Sequence, residues 1–307
     1  MQIYLNKIKE SWVVDRFKSE WYEFNEDIST NKINKADIVW LITPWLWRNV
    51  KKRNLKNKKV VCSIYHIDFE KFAFEDKKEF EERDSFVDLY HVISEKTKLQ
   101  LQKLTNKEII SIPFWVNQNI WFPIEDKESL IKKYNLSSEK YYIGSFQRDT
   151  EGVDLKSPKL IKGPDRFIEI LSSDYFAGKN IEVILTGKRR QYIISELEER
   201  KIPYKYFEMV DFDEINELYN ILNLYIVSSR VEGGPQAILE CGITNTPIIS
   251  TDVGVASEIL SPKSIIDMEN YSDAKPDIDY AYKESQQFTI PEGFKRYREM
   301  FRKVNES

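Results

Sequence analysis

Two glutamates, Glu232 and Glu240, flank the turn Gly233-Gly234-Pro235 inside the stretch SSRVEGGPQAILECGITNTPIISTDVGVASEIL at 228–260. The glycines let a backbone come close to a ligand, because no Cβ stands in the way. A helix opened by Pro235 exposes the N–H groups of Gln236, Ala237 and Ile238, which have no helical acceptor, and such a helix start attracts phosphate. Glu232 precedes the helix and Glu240 lies about five residues inside it, so their carboxylates are roughly 7 to 8 Å apart along the axis. Carboxylates repel phosphate. These two should therefore face hydroxyls, and the simplest ligand with a hydroxylated ring on each side of a diphosphate is a nucleotide sugar. The competing reading of two glutamates eight apart, a solvated helix face, loses ground to the Gly-Gly-Pro turn between them.

The pattern E-x7-E, with its first Glu in S-R-x-E-G-G-P and a downstream T-P-I-I-S-T-D-V-G-x-x-x-E-I, resembles the donor-site signature of the family 4 retaining glycosyltransferases of the GT-B fold. The resemblance implies that Glu232 touches the donor sugar, that Glu240 binds ribose hydroxyls, and that the amides of 233–237, with Gly233, Gly234, Gln236 and Ala237, hold sugar and phosphate. It also implies an α/β fold of two Rossmann-like domains whose parallel sheets face across a cleft.

These residues need a scaffold. The apolar run at 224–227, the helix opened by Pro235 with Gly242 near its end, and the apolar run at 247–250 read as a βαβ unit with an open loop above its strands. Earlier in the chain, strands are expected at 2–5, 36–42, 59–65, 86–93 and 108–112. Helices are expected over 11–21, after Thr43-Pro44, and from the N-cap Ser94 to Leu104. This alternation over about 115 residues predicts a parallel sheet. V-I-S-E at 92–95, I-P-F-W-V-N at 112–117 and W-F-P at 121–123 resemble the family's end of the N-terminal domain, which puts the hinge after Pro123. A linker and helix over 125–139 lead to a strand at 141–146. Then comes Q-R-D-T-E-G-V-D-L-K-S-P-K-L-I-K-G-P-D at 147–165, a basic loop in a phosphate-binding position above a parallel sheet.

Similar enzymes carry a Gly-Arg after this strand and a Lys-Gly opening the next helix, both cations holding the diphosphate. Lys162-Gly163 matches the second. Ser145 follows Gly144, so Arg148 is the displaced candidate for the first. Lys156 and Lys159 read as solvated, as do Lys188, Arg189 and Arg190 beyond the strand at 181–186. His66-Ile67-Asp68 falls where the family often has a His facing the donor sugar, which implies a catalytic role for His66. His91, inside an apolar strand, reads as structural. Past residue 262 the signal is weak until a helix at 294–304, which in relatives returns across the first domain. The expected division is 1–123 for the acceptor domain, 124–275 for the donor domain and 276–307 for the C-terminal helical segment. The first half is short for the family and has no Gly-rich loop after its first strand, so its acceptor side is expected to be built differently.

With 307 residues, 41% hydrophobic and 13% aromatic, the chain can fill one large or two modest cores. Lys and Arg total 46 against 50 Asp and Glu, a net charge of −4 that gives no general pull toward nucleic acid or anionic lipid. No secretory leader and no apolar run of about 18 residues are read, so no transmembrane segment is expected, while a peripheral membrane contact stays open. Two cysteines, Cys62 and Cys241, sit in apolar patterns as buried fillers, and a cytoplasmic setting is expected. With two Cys and two His no metal site is expected. The resemblance implies a retaining, metal-independent hexosyltransferase without cofactor, acting in polysaccharide synthesis on a glycan, lipid-linked or other hydroxyl acceptor. The rivals are a catalytically silent nucleotide-sugar-binding or assembly protein, and an epimerase or phosphorylase on the same fold.

Overall fold

The computed structural model describes residues 1–6 and 13–307. The chain divides into two compact units, Met1–Phe114 with Pro291–Ser307, and Trp115–Ile290. The sequence-based boundaries after 123 and 275 thus both fall inside the second unit. The first unit closes with the segment just before Trp115, and helix Ile278–Gln286 stays with the second.

In the first unit, strands β1 (Ile3–Leu5), β2 (Ile38–Leu41), β3 (Lys59–Ile64), β4 (Leu89–Val92) and β5 (Glu108–Ser111) form one sheet in that spatial order. Each pairs in parallel with the next. Both faces are covered, so the strands read as continuous apolar runs. The period of two sorts their side chains: Val39, Leu41, Val60, Cys62, Tyr90 and Val92 pack into one core. On the other face Trp40 lies edge-on to Trp21 and Phe301, the latter from the C-terminal helix Lys295–Glu306. The first helix spans Val13–Phe24, and the part of its expected span before Val13 lies outside the described residues.

The second unit holds β6 (Tyr141–Ser145), β7 (Ile181–Thr186), β8 (Tyr204–Phe207), β9 (Leu224–Val227), β10 (Ile248–Thr251) and β11 (Ile265–Ile266). All their pairings are parallel, in the order β11-β10-β9-β6-β7-β8. The order runs outward in one direction from β6 and in the other from β9. The boundary between β6 and β9 is therefore a topological switch point, the place where loops leaving the carboxyl ends of the strands diverge and open a crevice.

Helix Gln236–Thr244 continues past Gly242 and ends on Asn245 in the left-handed region (φ 56°). Gly242 is therefore not its stop signal. A Cβ there would lie 2.1 Å from Ser285 Oγ, so this glycine permits helix Ile278–Gln286 to pack close. Among the described residues no helix is long and apolar enough to cross a membrane.

Candidate functional site

The loops after β6 and β9 meet at the switch point and are sewn together by their own polar groups. Ser228 Oγ donates to the Gly163 carbonyl at 2.7 Å, Gln147 Nε2 donates to the Lys162 carbonyl at 3.0 Å, and the Arg230 amide donates to the Ile161 carbonyl at 2.8 Å. The Arg230 guanidinium grips both oxygens of Asp165, at 2.7 and 2.6 Å. This two-point geometry fixes direction as well as distance. Gly163 has φ 62°, and a Cβ on it would lie 1.8 Å from the Ser228 carbonyl oxygen, so only glycine allows this approach. From the third loop, a Cβ on Gly254 would lie 2.1 Å from the Gly233 oxygen. Thr251 Oγ1 donates to the Ser229 carbonyl at 2.7 Å and ties the end of β10 to the same place.

On this frame Lys162, the last residue of a short 3-10 turn, forms an ion pair with Glu232, the two side chains being 23% and 12% exposed. Ser229 Oγ lies 3.4 Å from the same Glu232 oxygen. Arg148 is exposed on the loop after β6. Lys159 is half-buried rather than solvated. Its ammonium is held below the usual lysine range by burial first, and then by the positive charges of Arg148 and Lys162. Three cations therefore crowd one side of the crevice, an arrangement that favours a multiply charged anion.

Gly233 and Gly234 lead to Pro235, which precedes helix Gln236–Thr244 without a side-chain cap. The Ile238 amide donates to the Pro235 carbonyl at 3.0 Å, so this expected donor is already used. The amides of Gln236 and Ala237 remain at the first turn, with no preceding helical acceptor. Gln236 Oε1 is buried with no hydrogen-bond partner among the described residues. Deeper in the helix, Glu240 is buried and accepts from the Tyr219 hydroxyl at 2.9 Å. Phe146 lies against the ring of Tyr219, with centroids 4.9 Å apart. Nothing in spacing links Tyr219 to Glu240, and sequence reasoning missed it.

The basic triplet at 188–190 divides. Lys188 is exposed, but Arg190 is fully buried, which overturns its solvated reading. Its Nη2 donates to the Ser145 carbonyl at 2.8 Å, and its Nε stands 3.2 Å from Asp149 Oδ2, off the line of a hydrogen bond. Burial lifts the Asp149 carboxyl to about 6 against the pull of Arg190, and lowers the guanidinium in turn. Asp149 adjoins Arg148, and its carbonyl accepts the Lys159 amide at 2.7 Å. The pair thus lies beneath the cation cluster.

In the first unit His66 is exposed just past β3. Its neighbours are anchored, the Tyr65 carbonyl by Thr97 Oγ1 at 3.0 Å and the Ile67 amide by Gln100 Oε1 at 3.3 Å. His91 is fully buried in a closed chain: Trp40 Nε1 donates to Ser63 Oγ, Ser63 Oγ to His91 Nδ1, and His91 Nε2 to the Ile112 carbonyl, each at 2.8 Å. Burial holds its imidazole down to about 4, so the ring is neutral and structural. Cys62 and Cys241 are buried, and burial raises both thiols, that of Cys62 to about 11. Both are inert fillers.

The fold is that of the GT-B glycosyltransferases. Anabaena HepE in complex with UDP superposes with a TM-score of 0.76 at 12% identity over 98% of this chain and 99% of that one. The lipopolysaccharide outer core galactosyltransferase WaaB gives 0.67 at 13% identity, over 99% and 100%. A glycosyltransferase from Rickettsia africae gives 0.66 at 17%, over 97% and 83%. No curated protein matches by sequence. Residues 157–298 match the family described as glycosyl transferases group 1. This stretch takes in Lys162, both glutamates and the Gly-Gly-Pro turn, so the chain carries a glycosyl transferases group 1 domain.

Proposed function

We propose that the chain transfers a sugar from a nucleotide-diphosphate donor to a hydroxyl acceptor on a glycan or lipid-linked glycan, with retention at the anomeric carbon and without a metal ion. The observation that carries this reading is the arrangement at the β6/β9 switch point. Arg148, Lys159 and Lys162 converge from one loop, and a glycine-lined helix start with two carboxylates comes from the other. HepE, of the same fold, is described in complexes with UDP and UDP-glucose, which supports a nucleotide-sugar donor here.

In this reading the cations and the Gln236 and Ala237 amides hold the diphosphate. They stabilise the negative charge that grows as the bond from the anomeric carbon to the phosphate oxygen breaks and the bond to the acceptor oxygen forms on the same face. Glu240 takes ribose hydroxyls, and Glu232 orients the sugar. His66 is assigned to the transfer step by the family resemblance alone.

A thermal-shift panel of nucleoside diphosphates and their sugars, run with excess chelator, tests the donor reading. One nucleotide series should raise the unfolding temperature with chelator present. Donor turnover measured in the same buffer should persist. Turnover that chelator abolishes and magnesium or manganese restores would contradict the metal-free mechanism. An inverted anomer in the product would contradict retention.

A further inference from the structure

We propose that the ion pair between Lys162 and Glu232 makes the site distinguish an intact nucleotide sugar from the nucleoside diphosphate that transfer leaves behind. The inference rests on the donor reading above and deepens it.

Lys162 Nζ donates to Glu232 Oε1, so the ammonium assigned to the diphosphate already has a counterion. That counterion is a carboxylate only 12% exposed, whose other neighbour is Ser229 Oγ at 3.4 Å. A phosphate oxygen drawing Lys162 to itself takes the cation from Glu232 and leaves a largely buried carboxylate facing an anion. Such a loss is costly unless a new donor arrives.

An intact donor brings one, because its sugar hydroxyls can donate to Glu232 in place of the ammonium. The sugar ester also removes a negative charge from the terminal phosphate, which a free nucleoside diphosphate carries near neutral pH. The free diphosphate offers neither help: it takes Lys162, supplies no hydroxyl, and sets its extra charge against the stranded carboxylate. Glu232 would therefore favour donor capture and product departure together, one charge acting with opposite sign on the two ligands.

The experiment is calorimetric titration of the full chain with UDP and with UDP-glucose, in the unsubstituted protein and in Glu232→Gln, Glu232→Asp and Lys162→Met. Removing the charge should tighten UDP and weaken or leave UDP-glucose, moving the ratio of their affinities by about tenfold or more, as befits a removed like-charge contact. Glu232→Asp keeps the charge and should keep the sense of the original preference, while Lys162→Met should weaken both ligands. If Glu232→Gln weakens UDP, or changes both ligands by the same factor, the proposal is overturned. If the unsubstituted protein binds neither of these nor any other pair in the nucleotide panel, the donor reading itself falls, an outcome distinct from a fixed ratio with normal binding.

Discussion

The two sheets are made from the same parts, parallel strands joined by helices, yet only the second reverses its strand order. In the first sheet β1 to β5 lie in sequence order, and a fully buried polar chain runs Trp40, Ser63, His91, Ile112 with every link closed. In the second, the order turns at β6 and β9, and the polar groups at the turn are charged, drawn from different loops and crowded with like charge. A closed neutral chain has nothing left to offer a ligand. A cluster of cations at a reversal of strand order is suited to an anion whose charge relieves its own repulsion.

This contrast can be broken from either side. The largest effect is expected beneath the cluster. Arg190→Met leaves Asp149 buried without its cation and should cost about 3 to 5 kcal/mol of stability in denaturant unfolding, whereas exposed Lys188→Ala should stay within about 0.5 kcal/mol. Equal costs would return the triplet to the solvated reading.

Next comes the neutral chain. The folded His91 value, about 4, lies below the ordinary value of 6.5, so its contribution is complete above pH 6.5 and is lost as pH falls from there through about 4. The loss amounts to roughly 3 kcal/mol. Unfolding midpoints between pH 7 and 4 should fall more steeply in the unsubstituted protein than in His91→Asn, which lacks the titrating ring. Parallel curves would mean that His91 is not held neutral by the fold.

A smaller change is expected at Tyr219→Phe, which removes one hydrogen bond to the Glu240 carboxylate and should cost about 1.5 kcal/mol. If Glu240 meets the ribose, nucleoside affinity should fall severalfold with it. Nucleoside titration checks this, and unchanged affinity would separate Glu240 from the nucleoside.

Legibility in the sequence followed locality. The strands at 181–186 and 224–227 coincide with β7 and β9, because buried parallel strands are short apolar runs bounded by polar loops. Glu232 and Glu240 could be singled out because a turn, a helix start and a fixed spacing lie within one segment, whereas Lys162 was singled out by the resemblance of Lys162-Gly163 to the family's Lys-Gly. Strand β11 was missed, and helix Ile278–Gln286 was not delimited within the segment expected to be helical: the strand is two residues long, and the helix is mostly polar with Ala281 and Ser285 as its buried positions. Gly242 does lie near the helix end, but the reason a glycine is needed there could not be read, because Ser285, for which it makes room, is distant in sequence. Arg190 was misread for the same kind of reason, since Asp149 and Ser145 lie about forty residues upstream.

The central claim is that the loop after β6 holds a diphosphate and the helix after β9 holds the nucleoside. It is tested most directly by titrating UDP and uridine into the unsubstituted protein and Lys162→Met, each with chelator present. The account predicts that the substitution weakens UDP by about 1.5 to 3 kcal/mol, the worth of one charge-assisted contact, while leaving uridine unchanged. An equal loss for UDP and uridine, or no loss for either, would contradict it and move the phosphates away from Lys162.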